Sequence, residues 1–192
     1  MISTFTAFID ANVFYGARLR SLALFLAQTK LFRARWSKDV HNEWIENLLK
    51  NRPDLNRNDL DRTRHLMDQS VPDCLVNGYE PLIERFTLPD PRDRHILAAA
   101  IVAHASVVVT FNLSDFPADT LSTHGLHAKH PDEFILDIAD IHRESFLNAV
   151  SEEWTHYKKP TLSLDDYADS LRAAGVPNTA DLILKHRVIL AE

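Results

Sequence analysis

Residues 107–115 read V-V-V-T-F-N-L-S-D, and this stretch decides the fold. Three successive β-branched valines leave no polar face, as expected of a central strand in a parallel sheet covered on both sides. Asn112 and Asp115 follow the strand's C-terminal end. Immediately upstream, residues 90–106 read D-P-R-D-R-H-I-L-A-A-A-I-V-A-H-A-S. Asp90 suits a helix N-cap and Pro91 the first helical position. Ile96, Leu97, Ala100 and Ile101 give that helix an apolar face, and its small alanines permit close approach to a sheet. Asp93, three and four residues before Ile96 and Leu97, shares their side.

Working outward, Thr4–Ile9 is a short run of β-formers that meets an acid, Asp10, and reads as a buried strand. A helix is predicted to follow through Gln28, with Asn12 as its N-cap and Val13, Phe14, Ala17, Leu22, Phe25 and Leu26 at roughly helical spacing. Ser37 caps a second helix in which Val40, Trp44, Ile45 and Leu48 form the apolar stripe and Pro53 marks the end. On a helical wheel Glu43 lies at the rim of that stripe, whereas Glu46 points further toward solvent. Residues 58–69 predict a third, mostly polar helix, and Pro131 opens another containing Phe134, Ile135 and Ile138. Val71–Val76 and Leu82–Leu88 are too short and irregular to assign. His124, His127 and His130 read as a solvated loop.

Strands alternating with helices define an α/β fold with a parallel sheet flanked by helices. Residues 142–192 carry no strand signal and read as a C-terminal helical extension, bounded by Pro160, Gly175 and Pro177. There Ser163 and Asp166 approximate a capping box, and Gly175 supplies a helix stop. The expected division is therefore 1–141 and 142–192.

The composition narrows the class. With 192 residues and 45% hydrophobic content, the chain can bury a sizeable core. One cysteine, Cys74, in the apolar run C-L-V, excludes an internal disulfide and predicts a buried thiol in a reducing, cytoplasmic setting. The N-terminus lacks the basic region of a signal peptide. The apolar stretch from Ile96 to Phe111 is interrupted by His104 and Ser106 and falls short of the roughly 20 residues a spanning helix needs, so no membrane association is expected.

Net charge is −6, which argues against a general nucleic-acid coat. Yet residues 1–70 hold 11 Lys and Arg against 8 Asp and Glu. Phosphate-facing surface is therefore expected there, with Arg18, Arg20, Lys30, Arg33, Arg35 and Lys38 as candidates, although an ordinary solvated face is the better account of most of them. Phosphate-binding and dinucleotide glycine loops are absent, and so is the hydrolase nucleophile elbow.

Four acids, Asp10, Glu43, Asp93 and Asp115, remain, each beside an apolar segment. In open α/β sheets ligands bind beyond the carboxyl ends of the strands. Asp10 and Asp115 follow such ends, and right-handed crossovers open the Asp93 helix on the same side. Converging carboxylates repel one another, and one or two divalent cations resolve that repulsion. All-oxygen ligands favour Mg²⁺ or Mn²⁺ over zinc. Taken singly, Asp10 and Asp115 could be turn residues, Asp93 could answer the helix dipole and Glu43 could form an interhelical ion pair. One metal site replaces four separate explanations.

The strand ending in Asp10-Ala11-Asn12, Glu43 on the second helix, Asp93 before I-L-A-A-A, and T-F-N-L-S-D-F occur in an order that resembles the PIN-domain nucleases, VapC-like toxins in particular, over roughly residues 4–140. The resemblance implies a Mg²⁺- or Mn²⁺-dependent endoribonuclease. Asp10, Glu43, Asp93 and Asp115 would be its catalytic and metal-holding acids, with Asn12, Thr110 and Asn112 in support. Asp90 either joins the site or serves as a cap. The resemblance also implies an RNA substrate, an antitoxin partner and a homodimer. Two alternatives stay open: a PIN-like RNA-binding or protein-interaction module without turnover, and a metal-dependent phosphatase acting on small phosphoesters.

Overall fold

The apolar run at the N-terminus is strand β1 (Thr6–Ile9), buried at every position. The computed structural model describes residues 4–156 and 161–190, and these form two units. The first comprises residues up to Tyr15 together with Phe32–His130. In it, β1 leads through Asp10 into α1 (Ala11–Tyr15). The predicted helix through Gln28 is in fact two, because the chain is extended at Gly16 (ψ 124°), which starts α2 (Ala17–Gln28). Asn12 consequently lies inside α1 and is not its N-cap.

Strand β2 (Arg33–Ser37) runs into α3 (Lys38–Asn51), where the Ser37 hydroxyl accepts from the Val40 amide as predicted. Helix α4 (Arg57–Ser70) and the two-residue β3 (Leu75–Val76) follow. The segment from Glu80 to Arg85 winds as a 3-10 helix, and a second 3-10 turn, Pro91–Asp93, precedes α5 (Arg94–Val102). Strand β4 (Val107–Val109) is buried throughout. Beyond it come α6 (Ala118–Ser122) and β5 (His127–Lys129).

The five strands form one sheet in the order β3-β2-β1-β4-β5, and every neighbouring pair is parallel. Ile9 is registered with Val109 across the central pair. From β1 the chain first adds strands on one side, then returns to add β4 and β5 on the other. The switch therefore falls between β1 and β4, where an open α/β sheet leaves a crevice at its carboxyl end. Helix α5, with Ile96–Ala100 fully buried, packs against β1, β2 and β4.

Beneath α3 a polar network is closed over by aromatic rings. Asp68 accepts from Trp36 Nε1 at 2.9 Å and lies 2.8 Å from His41 Nε2, while Trp44 Nε1 donates to His41 Nδ1 at 3.0 Å. Because Nδ1 accepts, the imidazole proton sits on Nε2 and His41 is neutral. Its burial accordingly lowers its pKa. Cys74 is buried beside Asp68, and its thiol is pushed up to about 12 by desolvation and that carboxylate.

The second unit comprises Gly16–Leu31 and residues from Pro131 onward. It contains α2 with α7 (Pro131–Ile141), α8 (Arg143–His156), α9 (Leu164–Ala173), α10 (Pro177–Lys185) and the short α11 (Arg187–Leu190). Ser163 accepts from the Asp166 amide and donates to its carboxylate, the reciprocal cap predicted from the sequence. Gly175 stops α9 at φ +87°, a region open to glycine. Pro160 lies outside the described residues. Asp132, at the start of α7, accepts from the amides of Asn178 and Thr179 and so caps α10 from a neighbouring helix. Arg18, a candidate for phosphate contact, instead pairs at 3.0 Å with the fully buried Glu153 and lies 5.1 Å from the Tyr167 ring centre. Among the described residues, no helix is long and apolar enough to cross a membrane.

Candidate active site

Asp10 and Thr110 occupy the first positions beyond β1 and β4, so the sheet itself sets them side by side at the switch point. The Asp10 amide donates to Val109 O and the Thr110 amide to Lys129 O, both at 3.0 Å. These bonds extend the ladder by one residue and fix both side chains. The Thr110 hydroxyl donates to Asp10 Oδ2 at 2.6 Å, and Asn12 Nδ2 donates to the same oxygen at 2.7 Å. Asn12 Nδ2 also reaches Thr110 Oγ1 at 3.0 Å, while its Oδ1 accepts from the Phe111 amide at 3.2 Å. Thus Asn12 and Thr110 form the cradle of Asp10. Asn112 contributes through its backbone amide, which donates to Thr110 Oγ1 at 3.0 Å.

The two side-chain donors converge on Oδ2 and leave Oδ1 for other partners. Asp10 is only 3% exposed. Its pKa is raised to about 6 because burial outweighs the Thr110 hydrogen bond, with Glu43 adding repulsion. Asp93, at the entry to α5, is pushed up to about 7 by desolvation and by repulsion from Asp10, Asp90, Glu43 and Asp115. The four predicted acids therefore share one electrostatic neighbourhood, although they come from four segments of the chain.

The individual acids differ in their contacts. Glu43 is on α3 with a 39% exposed side chain, and its Oε2 lies 3.4 Å from His95 Nε2. This contact with a residue at the start of α5 is of the interhelical kind that was the alternative to a metal role for Glu43. The His95 side chain is only 15% exposed, and its Nδ1 is buried without a hydrogen-bond partner among the described residues. The sequence signal for it was its position two residues after Asp93. Asp115 ends the turn Leu113–Asp115 and is half-buried. Asp90 caps the Pro91–Asp93 turn through the Arg92 amide and also pairs with the Arg92 guanidinium, which together hold its carboxyl below the usual range.

No group of three His, Cys, Asp or Glu side chains among the described residues is drawn together tightly enough to enclose a metal. The donor set still fits a hard divalent cation. Mg²⁺ commonly binds through one or two carboxylates and keeps several waters, and Asp10 Oδ1 receives neither of the side-chain hydrogen bonds that converge on Oδ2.

A parallel sheet of this order, with acids gathered at its switch point, defines an α/β protein with a carboxylate-lined site. The PIN domain family matches residues 6–114, and the chain belongs to that family. A second match, described as the VapC50 C-terminal domain, covers residues 131–185. The chain is also similar to a Mycobacterium tuberculosis protein named "Putative ribonuclease VapC50", with 48% identity over 94 residues. That alignment covers 49% of this chain and 55% of the relative, so it spans about half the length of each. No solved structure matches the chain.

Proposed function

We propose that the protein is a metal-dependent endoribonuclease, the toxin of a toxin-antitoxin pair, that hydrolyses RNA phosphodiester bonds in the cytoplasm. The observation that carries this reading is the gathering of Asp10, Asp93, Glu43 and Asp115 in one electrostatic neighbourhood, with the Asp10 and Asp93 carboxyls raised toward neutrality first by burial and then by neighbouring acids. Mg²⁺ or Mn²⁺, as one or two ions, would be held by Asp10, Asp93, Glu43 and Asp115. Bound there, such an ion supplies charge neutralisation at the phosphodiester and a lowered pKa for water.

The chain's own residues divide the remaining work. Thr110 and Asn12 fix one Asp10 oxygen, so the carboxylate keeps a single orientation when a substrate phosphate arrives. Glu43 and Asp93 are the carboxylates that could accept a proton from an attacking water. His95, whose Nε2 lies 3.4 Å from Glu43 Oε2, would orient that carboxylate. The name of the Mycobacterium relative supports ribonuclease chemistry, and an antitoxin partner and a homodimer follow from the same kinship.

The test is cleavage of a panel of structured RNAs with Mg²⁺ or Mn²⁺, and with chelator, comparing wild type with Asp10→Asn and Asp93→Asn. Loss of cleavage by more than about 100-fold in folded variants is expected. Equal rates would remove the site. Turnover confined to small phosphoesters would favour the phosphatase, and RNA binding without cleavage would favour the module lacking turnover.

A further inference from the structure

Beside the acidic centre lies an open cleft of about 260 Å³ between α1 and α3, lined in part by Asn12, Tyr15, Glu43, Asn47 and Asn51. Glu43, Asn47 and Asn51 are spaced by four residues on α3 and so form one stripe, each step rising about 6 Å along the helix. Asn12 and Tyr15, three apart on α1, face them. The stripe starts at an acid of the proposed catalytic centre and leads away from it through uncharged amides. Asn51 Nδ2 donates to the Tyr15 hydroxyl at 3.1 Å. That bond links the two walls and engages neither the Asn51 side-chain carbonyl nor the tyrosine proton.

We propose that this cleft is a nucleobase subsite, which takes the base of an unpaired nucleotide next to the scissile phosphodiester. The inference rests on the endoribonuclease reading above and names how the substrate is chosen. The chemistry of the walls selects a base over a phosphate. Among the described residues no lysine or arginine lines the cleft, and Glu43 at its head repels an anion. Asparagine amides pair a donor and an acceptor, the combination that reads base edges, while an aromatic side chain offers a stacking face. Its size agrees, because about 260 Å³ is below the roughly 300–1,000 Å³ of sites that enclose whole small molecules. An open cleft of that size suits one base, with the rest of the strand outside.

The experiment uses the full chain and a randomised single-stranded RNA library, with cleavage ends read by sequencing. Asn47→Ala, Asn51→Ala and Tyr15→Leu alter exposed or half-buried positions outside the acidic centre. The base preference at one position beside the cut should weaken about tenfold in these variants. Cleavage with every positional preference unchanged would overturn the subsite while sparing the nuclease reading. A parallel arm selects library RNA bound by the Asp10→Asn chain. A base preference in binding that disappears with Asn51→Ala would support the subsite even if the wild type proved unable to cut. Binding without any base preference, or none at all, would overturn it. So would variants that lose only the capture of a protein partner, since the cleft would then be a protein contact.

Discussion

Thr110 and Asp10 are 100 residues apart in sequence, yet the Thr110 hydroxyl donates to Asp10 Oδ2 at 2.6 Å. The direction of this bond is fixed by its surroundings. Asn12 Nδ2 and the Asn112 amide both donate to Thr110 Oγ1, so the oxygen's lone pairs are used and its single proton turns to Asp10. Parallel pairing of β1 with β4 makes the arrangement possible, because Ile9 and Val109, the preceding residues, are in register.

Thr110→Val keeps the shape and removes the proton. A donated hydrogen bond favours the ionised carboxylate, so the Asp10 pKa should rise above its value of about 6. Carboxyl NMR titration of metal-free protein is the direct measurement, and the acid limb of the cleavage profile should move to higher pH with it. An Asp10 titration that does not move would show that Thr110 is not its proton donor.

Asp93 allows a stability test in which the sign is unambiguous. Its folded pKa of about 7 lies above the ordinary aspartate value of 3.8, so the folded state binds more protons than the unfolded one between these values. Its contribution is therefore present below pH about 4 and lost as pH rises through about 7. At pH 8 without divalent ions, Asp93→Asn should be more stable than wild type by on the order of 1–2 kcal/mol, and at pH 4 the difference should vanish. Adding Mg²⁺ should stabilise wild type more than the variant. Chemical denaturation at the two pH values decides it, and a variant less stable at pH 8 would sink the argument.

Much of this was legible before the fold was known, and the reason differs by residue. Val107–Val109 and Thr6–Ile9 announced themselves because central parallel strands are apolar on both faces. Strand β2, R-A-R-W-S, did not, since its arginines fall at partly exposed positions and break the apolar run. The three-residue β5, H-A-K, has an edge strand's composition, so His127 was mistaken for loop. Asp10, Thr110 and Asn112 could be placed from strand ends alone. The inward turn of Asn12 could not, because it is held by Thr110 and the Phe111 amide, partners 98 and 99 residues away in sequence. Likewise the partnership of Asp68 with His41 joins two helices through side chains, and no local periodicity encodes it.

That partnership predicts a large stability effect away from the acidic centre. Asp68→Ala would strand Trp36 Nε1 and His41 Nε2, two donors on side chains that are 0% and 1% exposed. Buried donors without acceptors cost about 1–3 kcal/mol each, so a loss of about 2–4 kcal/mol is expected in urea unfolding. The network also sets a pH dependence opposite to that of Asp93. His41 has a lowered pKa, so its contribution is present above pH about 6.5 and is lost as pH falls through the folded value. A mild variant, His41→Gln, should flatten that acid limb. If the limb is unchanged, His41 is not its source.

The Arg18–Glu153 pair makes the last prediction, within the helical unit. Glu153 is fully buried, and its Oε2 has no hydrogen-bond partner among the described residues. Its charge therefore depends on the Arg18 guanidinium at 3.0 Å. Removing one partner leaves an uncompensated buried charge, which costs about 3–5 kcal/mol, whereas exchanging both for apolar groups is often neutral. Arg18→Met should thus be strongly destabilising alone, and Glu153→Leu less so because it leaves a cation that is 17% exposed. The double variant should recover most of the loss, giving a coupling energy of about 2 kcal/mol or more in a double-mutant cycle. Helicity followed through thermal unfolding supplies the four stabilities. Additive single effects would mean that the two charges are solvated independently and that α2 is held to α8 by packing alone.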